Sequence, residues 1–537
     1  MFFCENCGSK LPSDARFCEN CGYAISYGVE TRAPSVSVGK NVSLFTSKEW
    51  TSSWRDLVYG GEYRDYGLIF TNTSNCPDNL KKNFYDVLNQ YIAYKADEGV
   101  CYCVLDMAEQ SVKKDFFGKN ATGVEFGVKA LKEIYEVAPP KYVLIIGDRN
   151  SVDSIKWKNP IYSDDENGDS DRIVDSDLPY TTLDTTSPFE SGPQVFKLSV
   201  GRIPSSAGNG FPEAITYLKN AMEYNCRGVS LDPFALSAIE WAKVSRANFD
   251  DITPELYSCP PSSFVERMRQ YNLNILPRDE TFNLYCFNLH GGPTHHYWLS
   301  GDGHLAYSPE CLPNNENVKY VMCTESCYGA KPVIVAGDGQ STLMTALANR
   351  CLGFVGSTQI AYGITDYWYE KGYQPMGADV LIGNFASGVG FGMSLGEAYM
   401  EALSETVAGR TSMNAEDIKT LASFALYGDP SLHLLEDDCY KSKSRPASKK
   451  SFHIPMPDVR KAVNMKLTTV SSKISAKVSD YIAKSYKDSS NIVTKYYAVS
   501  GYDGYKATSK QINGHTTGIL SIYVSKNGDV DSVYVSK

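Results

Sequence analysis

Short apolar runs rich in strand-forming residues alternate along much of this chain with stretches whose apolar positions recur every three or four residues. Residues 142–147 form one such continuous run, and residues 127–136 show the helical repeat. Continuous apolar runs of this length are typical of fully buried strands. Further runs lie at residues 282–290, 318–323 and 351–356, with helical stretches between them. Because alternating strands and helices form parallel sheets covered by helices, the pattern predicts an α/β fold with a mostly parallel sheet and helices on both faces.

Two Cys-x2-Cys pairs, each followed by glycine, lie at the start of the chain and are separated by ten residues. This segment is too short to bury a hydrophobic core, so a bound ion would have to supply the folding energy. Four thiolates at this spacing predict a tetrahedral Zn²⁺ site, which is structural rather than catalytic because no coordination position stays open. The pattern resembles the zinc-ribbon modules found at the N-termini of bacterial proteins. The predicted ligands are Cys4, Cys7, Cys18 and Cys21.

Changes in composition, and a strand–helix pattern that repeats beyond Phe234, divide the chain into six segments. Polar residues without a sustained period separate the cysteine-rich start from the first α/β region, and a basic stretch with Ser and Pro follows Leu435. The end of the chain is typical of a helix followed by strands, with a hairpin turn at Asn527-Gly528. The predicted segments are a zinc ribbon at 1–24, a linker at 25–42, two tandem α/β subdomains at 43–233 and 234–437, a basic linker at 438–465 and a small α+β module at 466–537.

Composition and charge exclude several classes of protein. With 42% apolar and 21% charged residues the chain is typical of a globular protein. Its net charge of −10 argues against a nucleic-acid partner, since phosphate binding needs clustered Lys and Arg. No apolar run approaches the roughly 20 residues that cross a bilayer, and the start lacks a signal-peptide pattern. The number of cysteines, 15, is odd, so they cannot all pair within the chain. Many of them lie in strand-like runs, where a reduced thiol packs as a small apolar side chain. We therefore expect a cytoplasmic protein without a membrane segment.

Two of the strand-like runs end in residues suited to nucleophilic catalysis. One ends at His290 and Gly291, and the other ends at Cys327. Neighbouring parallel strands would bring both ends to one edge of the sheet, where open α/β proteins place their sites. There, His290 could take the proton of Cys327 and later protonate a leaving amine. The N–H groups of Gly291 and Cys327 would face the developing oxyanion. A buried cysteine and a core histidine are the alternative, but their matching positions at strand ends favour a cysteine peptidase.

A strand ending in His-Gly-Gly, followed by a strand ending in Ser-Cys-Tyr-Gly, resembles the caspase-like (clan CD) cysteine peptidases, and most closely the gingipain-type family. The resemblance covers roughly residues 45–435 and implies a caspase-like catalytic subdomain preceded by a non-catalytic α/β subdomain. It also implies endopeptidase activity, with Cys327 as the nucleophile and His290 as the catalytic histidine. Four further segments follow the order seen in that family: YVLIIGD ending at Asp148, SDLPYTTLD at 176–184, VGRIP at 200–204 and ALYGDPSLHL at 425–434.

The same resemblance implies roles for acidic residues. In the gingipains that cleave after basic residues, a Glu that follows the first strand of the catalytic subdomain supports the histidine. An Asp some way further along lines the specificity pocket. Glu240 occupies the first place and Asp251 or Asp250 the second, although Trp241-Ala242 stands where the family has small glycines. An acidic pocket would favour cleavage after Arg or Lys, because a buried carboxylate needs a cationic partner.

Two other interpretations stay open. The acidic run at residues 164–171 could hold Ca²⁺ through clustered oxygens, but its misplaced Gly and missing closing Glu favour a solvated loop. The chain could also be a catalytically inactive caspase-like scaffold or adaptor that acts through its zinc ribbon and C-terminal module. The intact Cys327 and His290 favour an intracellular endopeptidase acting on protein or peptide substrates. The ribbon would then recruit a protein partner or hold the enzyme in place.

Overall fold

The structure of this protein is a computed structural model, in which no helix of the described part is long and apolar enough to cross a membrane. The residues described are 2–3, 10–11, 65–108, 124–137, 139–149, 151–164, 168–191, 195–204, 211–252, 257–259, 282–301, 303, 305–312, 318–332, 341–408, 413–436, 465–485, 494–499, 502–513 and 516–536.

Strands and helices alternate through most of this part of the chain. The strands are β1 (Phe2–Phe3), β2 (Lys10–Leu11), β3 (Asp65–Thr71), β4 (Val100–Asp106), β5 (Tyr142–Ile146), β6 (Ile155–Lys158), β7 (Ile173–Ser176), β8 (Ser199–Ile203), β9 (Pro233–Ala238), β10 (Tyr257–Cys259), β11 (Leu284–Asn288), β12 (Trp298–Leu299), β13 (Leu305–Tyr307), β14 (Tyr320–Thr324), β15 (Cys351–Ser357), β16 (Tyr362–Gly363), β17 (Phe424–Gly428), β18 (Met465–Thr468), β19 (Thr494–Val499), β20 (Gly504–Asn513), β21 (Thr516–Ser525) and β22 (Val530–Ser536). The helices are α1 (Asp78–Asp97), α2 (Val124–Val137), α3 (Leu178–Thr182), α4 (Pro188–Ser191), α5 (Phe211–Met222), α6 (Ala242–Phe249), α7 (Thr342–Ala348), α8 (Asp366–Glu370), α9 (Ala378–Gly390), α10 (Leu395–Val407), α11 (Ala415–Ser423) and α12 (Ser472–Ser485).

Ten of these strands form one central sheet, in the order β10-β9-β11-β14-β15-β17-β8-β5-β3-β4. Neighbouring strands are parallel except at β15 and β17, so the five strands on each side of this junction point in opposite directions. The predicted α/β fold with a mostly parallel sheet is confirmed. Strands of both predicted subdomains contribute to this single sheet, with β17 of the second beside β8 of the first.

Helices cover both faces of the sheet, because its strands are apolar on both sides. Alternate residues of β5 show this: Leu144 belongs to the core cluster that includes Leu88 of α1. Val143 and Ile145 belong to a second cluster that includes Leu131 of α2. Since successive side chains of a strand point to opposite faces, α1 and α2 pack on opposite sides of the sheet.

A buried ion pair connects two of the segments on which the family resemblance rests. On β8, Arg202 donates from Nε and Nη2 to the two carboxylate oxygens of Asp177, at 2.8 and 2.7 Å. Its Nη1 donates to the carbonyl oxygens of Gly147, Asp148 and Val152. Burial raises the pKa of Asp177, but the charges of Arg202 and its neighbouring arginine outweigh burial, so this pKa lies below its ordinary value. The pair therefore fixes the chain after β5 against β8.

Asp429, which follows β17, connects the two halves of the sheet. Its side chain is fully buried and accepts hydrogen bonds from the hydroxyls of Tyr91 and Tyr102, the latter at 2.6 Å. Its backbone N–H donates to the hydroxyl of Tyr217 at 2.7 Å. The three tyrosines come from α1, β4 and α5 of the first subdomain. The Gly-Asp-Pro segment is therefore a structural joint between the subdomains.

The C-terminal module is an antiparallel sheet with α12 packed on it. Its strand order is β16-β22-β21-β20-β19-β18, so its sixth strand, β16, comes from the second subdomain. Ile474, Val478 and Ile482 recur every four residues along α12 and are buried, as expected for one apolar helix face. The hairpin between β21 and β22 contains Gly528 at φ 82°, a left-handed conformation that glycine adopts without steric cost.

Polar side chains attach this module to α11. Lys506 on β20 forms an ion pair with Glu416, with 2.6 Å between Nζ and Oε1, and both side chains are buried. The hydroxyl of Tyr523 donates to the other carboxylate oxygen of Glu416 at 2.9 Å. The hydroxyl of Tyr534 donates to Asp417 at 2.8 Å. Each buried charge at this interface thus has a partner on the opposite side, as low-dielectric surroundings require.

Candidate active site

The two candidate catalytic residues follow neighbouring parallel strands at equivalent positions. In the register of β11 and β14, Phe287 is paired with Thr324. His290 lies three residues beyond Phe287, and Cys327 lies three residues beyond Thr324. The N–H of Glu325 donates to the carbonyl of Phe287 at 2.9 Å, so the two chains stay hydrogen-bonded past the end of the strands. His290 and Cys327 therefore leave the sheet side by side at its carboxyl edge.

Gly291 brings the backbones of these two segments into direct contact. A methyl group on Gly291 would overlap the carbonyl oxygen of Cys327, so only glycine fits at this position. The preceding residue, His290, is fixed by two backbone hydrogen bonds with Leu299, at 2.8 and 2.9 Å. The His-Gly pair thus holds a rigid backbone position against the carbonyl of Cys327.

Glu240 orients the histidine from the next strand along the sheet. Ser237 on β9 is paired with Asn288 on β11, and Glu240 follows Ser237 by three residues in a short 3-10 turn. The Nε2 of His290 lies 2.9 Å from the Oε1 of Glu240, within hydrogen-bond distance. Gly301 packs against this carboxylate so closely that a side chain there would overlap it. Three adjacent strands therefore supply the carboxylate, the imidazole and the thiol.

The indole of Trp241 packs against the imidazole of His290. Their ring centroids are 4.3 Å apart and the ring planes are tilted by 53°. Trp241 is fully buried, whereas the side chain of His290 stays partly exposed. The indole and the carboxylate of Glu240 together restrict the imidazole to one orientation. With Nε2 directed at Glu240, Nδ1 is the ring nitrogen left for chemistry.

Cys327 is on a tight turn whose geometry is fixed by the loop after β15. The N–H of Ala361 donates to its sulfur at 3.3 Å, and the sulfur lies 3.6 Å from the carbonyl oxygen of Ala361. The next residue, Tyr328, has φ 55°, an uncommon left-handed conformation for a bulky side chain. Its N–H donates to the carbonyl of Gln359 at 2.9 Å, which stabilises this conformation. The residue Cys327 is only 4% exposed.

The acidic run of the first subdomain supports this turn through a buried lysine. Lys419 of α11 donates to Asp169 and, at 2.7 Å, to Asp171. Asp171 also accepts the hydroxyl of Tyr328 at 2.8 Å and the N–H of Ile360 at 2.9 Å. Burial raises the pKa of Asp171, but the charge of Lys419 and these hydrogen bonds outweigh burial and lower it. The network links the segments on both sides of Cys327.

The prediction of a solvated loop in this acidic run is wrong at Asp169, which is buried. Lys419 forms ion pairs with both Asp169 and Asp171, and Asp164 is paired with Arg172 at 2.8 Å. In the residues that the structure describes, no group of three or more His, Cys, Asp or Glu side chains is arranged to hold a metal ion. The described carboxylates of this run, those of Asp164, Asp169 and Asp171, are thus bound by basic side chains.

Asp250 and Asp251 are not brought to this edge. Both are exposed and follow α6, which carries the chain back along the sheet. Ile252, the next residue, lies beside Gly390 together with Leu231, which is two residues before β9. The end of α6 is therefore at the amino edge of the strands, opposite Glu240, and neither aspartate is placed to line a pocket beside Cys327.

Three contributors to the site were not predicted from the sequence. Ala361 acts through its backbone N–H, which leaves no signature in a sequence. Lys419 lies 250 residues from Asp169, and nothing local marks it as the partner of that carboxylate. Trp241 was visible only as a departure from the glycines of the resembled family.

Comparisons with known proteins identify one short segment. Residues 3–25 match a family described as zinc-ribbon domain, and no curated protein matches the chain. The predicted ligands Cys4, Cys7, Cys18 and Cys21 lie outside the described residues. The described strands β1 and β2 of this segment are antiparallel, with Phe2 paired to Leu11.

Among solved structures, one described as "Structure of Protease" is 12% identical, with a TM-score of 0.44, and the match covers 88% of this chain and 97% of the other. The Saccharomyces cerevisiae separase–securin complex at 2.6 Å resolution is 12% identical over 65% of this chain and 22% of the other, with a TM-score of 0.29. The 3.0 Å structure of that complex is 13% identical over 71% and 24%, with the same TM-score.

Proposed function

We propose that this protein is a caspase-like cysteine endopeptidase, with Cys327 as the nucleophile and His290 as the general base and acid. One observation carries the proposal: His290 and Cys327 follow paired positions of two neighbouring parallel strands, and Gly291 contacts the carbonyl of Cys327. A nucleophile beside a base that a third group orients is the arrangement used for covalent attack on acyl groups. Glu240 is that third group, through its contact with Nε2 of His290.

The contact between Nε2 of His290 and Glu240 determines which ring nitrogen carries a proton before the attack. Nε2 of His290 donates its proton to Glu240, so the neutral imidazole has its lone pair on Nδ1. Nδ1 takes the thiol proton of Cys327, and Glu240 stabilises the resulting imidazolium. The N–H that Ala361 donates to the sulfur stabilises the negative charge of the thiolate. Trp241 keeps the imidazole in place while the proton moves.

Hydrolysis then takes two steps. The sulfur of Cys327 attacks the scissile carbonyl carbon, and the N–H groups of Gly291 and Cys327 bind the oxyanion. The C–N bond breaks as His290 protonates the leaving amine, which leaves a thioester on Cys327. His290 next takes a proton from water, whose oxygen attacks the thioester. The C–S bond breaks, the new carboxylic acid departs and the thiol regains its proton.

A reducing, intracellular setting is part of the proposal. In the part of the chain that the structure describes, buried cysteines such as Cys76 and Cys351 are reduced thiols. Cys286 and Cys323 occupy paired positions on β11 and β14, and their sulfurs are 3.6 Å apart without a disulfide bond. Adjacent thiols of this kind persist in reducing compartments. The exposed positions of Asp250 and Asp251 give no support to cleavage after Arg or Lys, so we assign no side-chain preference.

The test is covalent labelling of the full chain with a peptidyl acyloxymethyl ketone, an electrophile that catalytic thiolates attack. We expect labelling of Cys327 in the wild type, and faster labelling in Lys506→Glu, which breaks the ion pair holding the C-terminal module on α11. His290→Ala should slow this labelling about 100-fold, because no base then takes the thiol proton. Peptide mapping by mass spectrometry identifies the labelled residue, with the partly exposed Cys226 as the internal control.

A peptide-library digest of the same samples would report hydrolysis and side-chain preference together. Labelling of Cys226 and Cys327 at equal rates, with no effect of His290→Ala and no digestion by wild type or Lys506→Glu, would contradict the proposal. That outcome would support an inactive scaffold instead.

We also propose that Cys4, Cys7, Cys18 and Cys21 bind one structural Zn²⁺, which would join the two halves of the ribbon. The match of residues 3–25 and the antiparallel pairing of β1 and β2 support this. Elemental analysis should find about one zinc per chain, and Cys4→Ser with Cys7→Ser should lose it. Cys226→Ser is the matched control and should keep the metal. Zinc that stays bound after both ribbon substitutions would contradict the assignment.

A further inference from the structure

The C-terminal module and the candidate nucleophile belong to the same small hydrophobic cluster. Cys327 belongs to a small hydrophobic cluster that also contains Ile360 from the loop after β15 and Tyr362 of β16. Four further members of the cluster come from the C-terminal module: Val499, Ile519, Tyr523 and Tyr534. A thiol that attacks a peptide bond has to be reached by substrate, yet Cys327 is 4% exposed. The module thus completes the hydrophobic cluster that contains Cys327, a residue that catalysis needs open.

The last strand of the module also pairs with the edge of the site. The strand β16 begins one residue after Ala361, whose N–H contacts the sulfur of Cys327. β22 lies antiparallel to it, with Tyr362 paired to Ser536 and Gly363 to Val535. Extended peptides bind proteins by adding a strand to such an edge. A peptide laid across Cys327 would meet β16 at the position that β22 fills.

We propose that the C-terminal module is an inhibitor in cis, which shields Cys327 and occupies with β22 the edge on which an extended substrate would pair. This inference rests on the proposed function, since shielding is inhibition only if Cys327 is the nucleophile. Substrate then gains access when the module moves off α11 and β16.

The chemistry of the interface suits a contact that is specific and can open. Three polar connections cross it at α11: Lys506 to Glu416, Tyr523 to Glu416 and Tyr534 to Asp417. Asn414, just before α11, adds hydrogen bonds to Ser532 at 3.0 Å and to Tyr534 at 2.7 Å. A second contact stacks Tyr481 of α12 on Trp368 of α8, with centroids 5.4 Å apart. The interface therefore combines directional polar contacts with the hydrophobic cluster of Cys327, and relative motion of domains is expected unless their interface is both large and apolar.

The buried ion pair provides a sharp test. In Lys506→Glu two carboxylates face each other in a buried site, which costs far more than losing a surface pair. We expect iodoacetamide, which needs no catalytic geometry, to alkylate Cys327 on the order of 100-fold faster in this variant. The double variant Lys506→Glu with Glu416→Lys restores opposite charges and should return the rate to within a few-fold of wild type. Peptide hydrolysis should rise and fall with the alkylation rate.

Two controls keep the result interpretable. Cys101 on β4, in the first subdomain, should react at one rate in all variants, which excludes general unfolding. Deleting residues 535–537 removes the residues paired with β16 and leaves Lys506 in place, so it tests strand pairing separately and should also speed alkylation.

The outcomes separate the two proposals. Faster alkylation of Cys327 without hydrolysis in any variant would support the shielding and contradict the peptidase assignment. Equal hydrolysis in wild type, Lys506→Glu and the 535–537 deletion would support the peptidase and overturn the inhibition. Unchanged alkylation of Cys327 in both opened variants would overturn the inference directly.

Discussion

Replacing Cys327 by alanine should reduce peptide hydrolysis at least about 10⁴-fold, to the level of the uncatalysed background. The methyl group has no lone pair to attack the carbonyl, and the groups that remain at the site only bind substrate. The fold should be unaffected, because alanine fills the turn below Tyr328 without steric conflict. The measurement is kcat/KM with the best peptide from the library, made in the wild-type and Lys506→Glu backgrounds.

Matched variants make this result specific. Cys226→Ala removes a partly exposed thiol and should leave kcat/KM unchanged. Glu240→Gln keeps a side chain of the same shape but removes the charge that stabilises the imidazolium of His290. It should therefore lower kcat by an intermediate factor, about 10- to 100-fold. Activity in Cys327→Ala above a tenth of the wild-type value would mean that another group performs the attack.

Replacing Arg202 by methionine should lower the free energy of unfolding by about 3–5 kcal/mol, the usual effect of removing one partner from a buried ion pair. Asp177 would lose two charge-assisted hydrogen bonds, and its remaining cationic neighbour, Arg149, is 3.8 Å away. The three carbonyl groups bound by Nη1 would also lose their donor. Urea denaturation at neutral pH measures the change. Arg172→Met is the matched control, because its ion pair with Asp164 is exposed and should contribute little.

The pH dependence of this effect has a defined sign. The pKa of Asp177 in the folded protein lies below its unfolded value, because the arginine charges outweigh burial. Its contribution to stability is therefore present above the unfolded pKa and lost as the pH falls through the folded pKa. In Arg202→Met the carboxyl can instead be buried in its neutral form at low pH. The difference between wild type and variant should shrink as the pH approaches 4, and a constant difference would contradict this account.

Much of the fold, and the equivalent positions of His290 and Cys327 after neighbouring strands, could be predicted from local sequence. Continuous apolar runs mark the buried strands, and a functional residue just past the end of such a run lies at the sheet edge, because parallel strands end together. The position of Glu240 follows from the same rule applied to β9. These features depend on residues close in sequence, or on elements that repeat along the chain.

What escaped prediction depends on residues that meet only in the folded chain. The partner of Asp171 is Lys419, from a helix far along the sequence, and the sulfur of Cys327 is bound by a main-chain N–H. A pocket position was predicted for Asp250 and Asp251 from their spacing along the chain. That spacing does not show that α6 carries the chain back to the opposite edge of the sheet. Some segments that carried the family resemblance stabilise the core and take no part in the proposed reaction. These are the segments that contain the Arg202–Asp177 ion pair and the hydrogen bonds of Asp429 with its tyrosines.

Because β22 and β16 belong to the same chain, the fraction of molecules in which β22 pairs with β16 does not depend on the protein concentration. A segment held in this way behaves as if dissolved at roughly millimolar concentration. Dilution, which releases an inhibitor bound as a separate chain, would leave this one in place. Weakly bound peptides would compete poorly, so a ligand that pulls on the C-terminal module would control turnover more effectively than an excess of substrate.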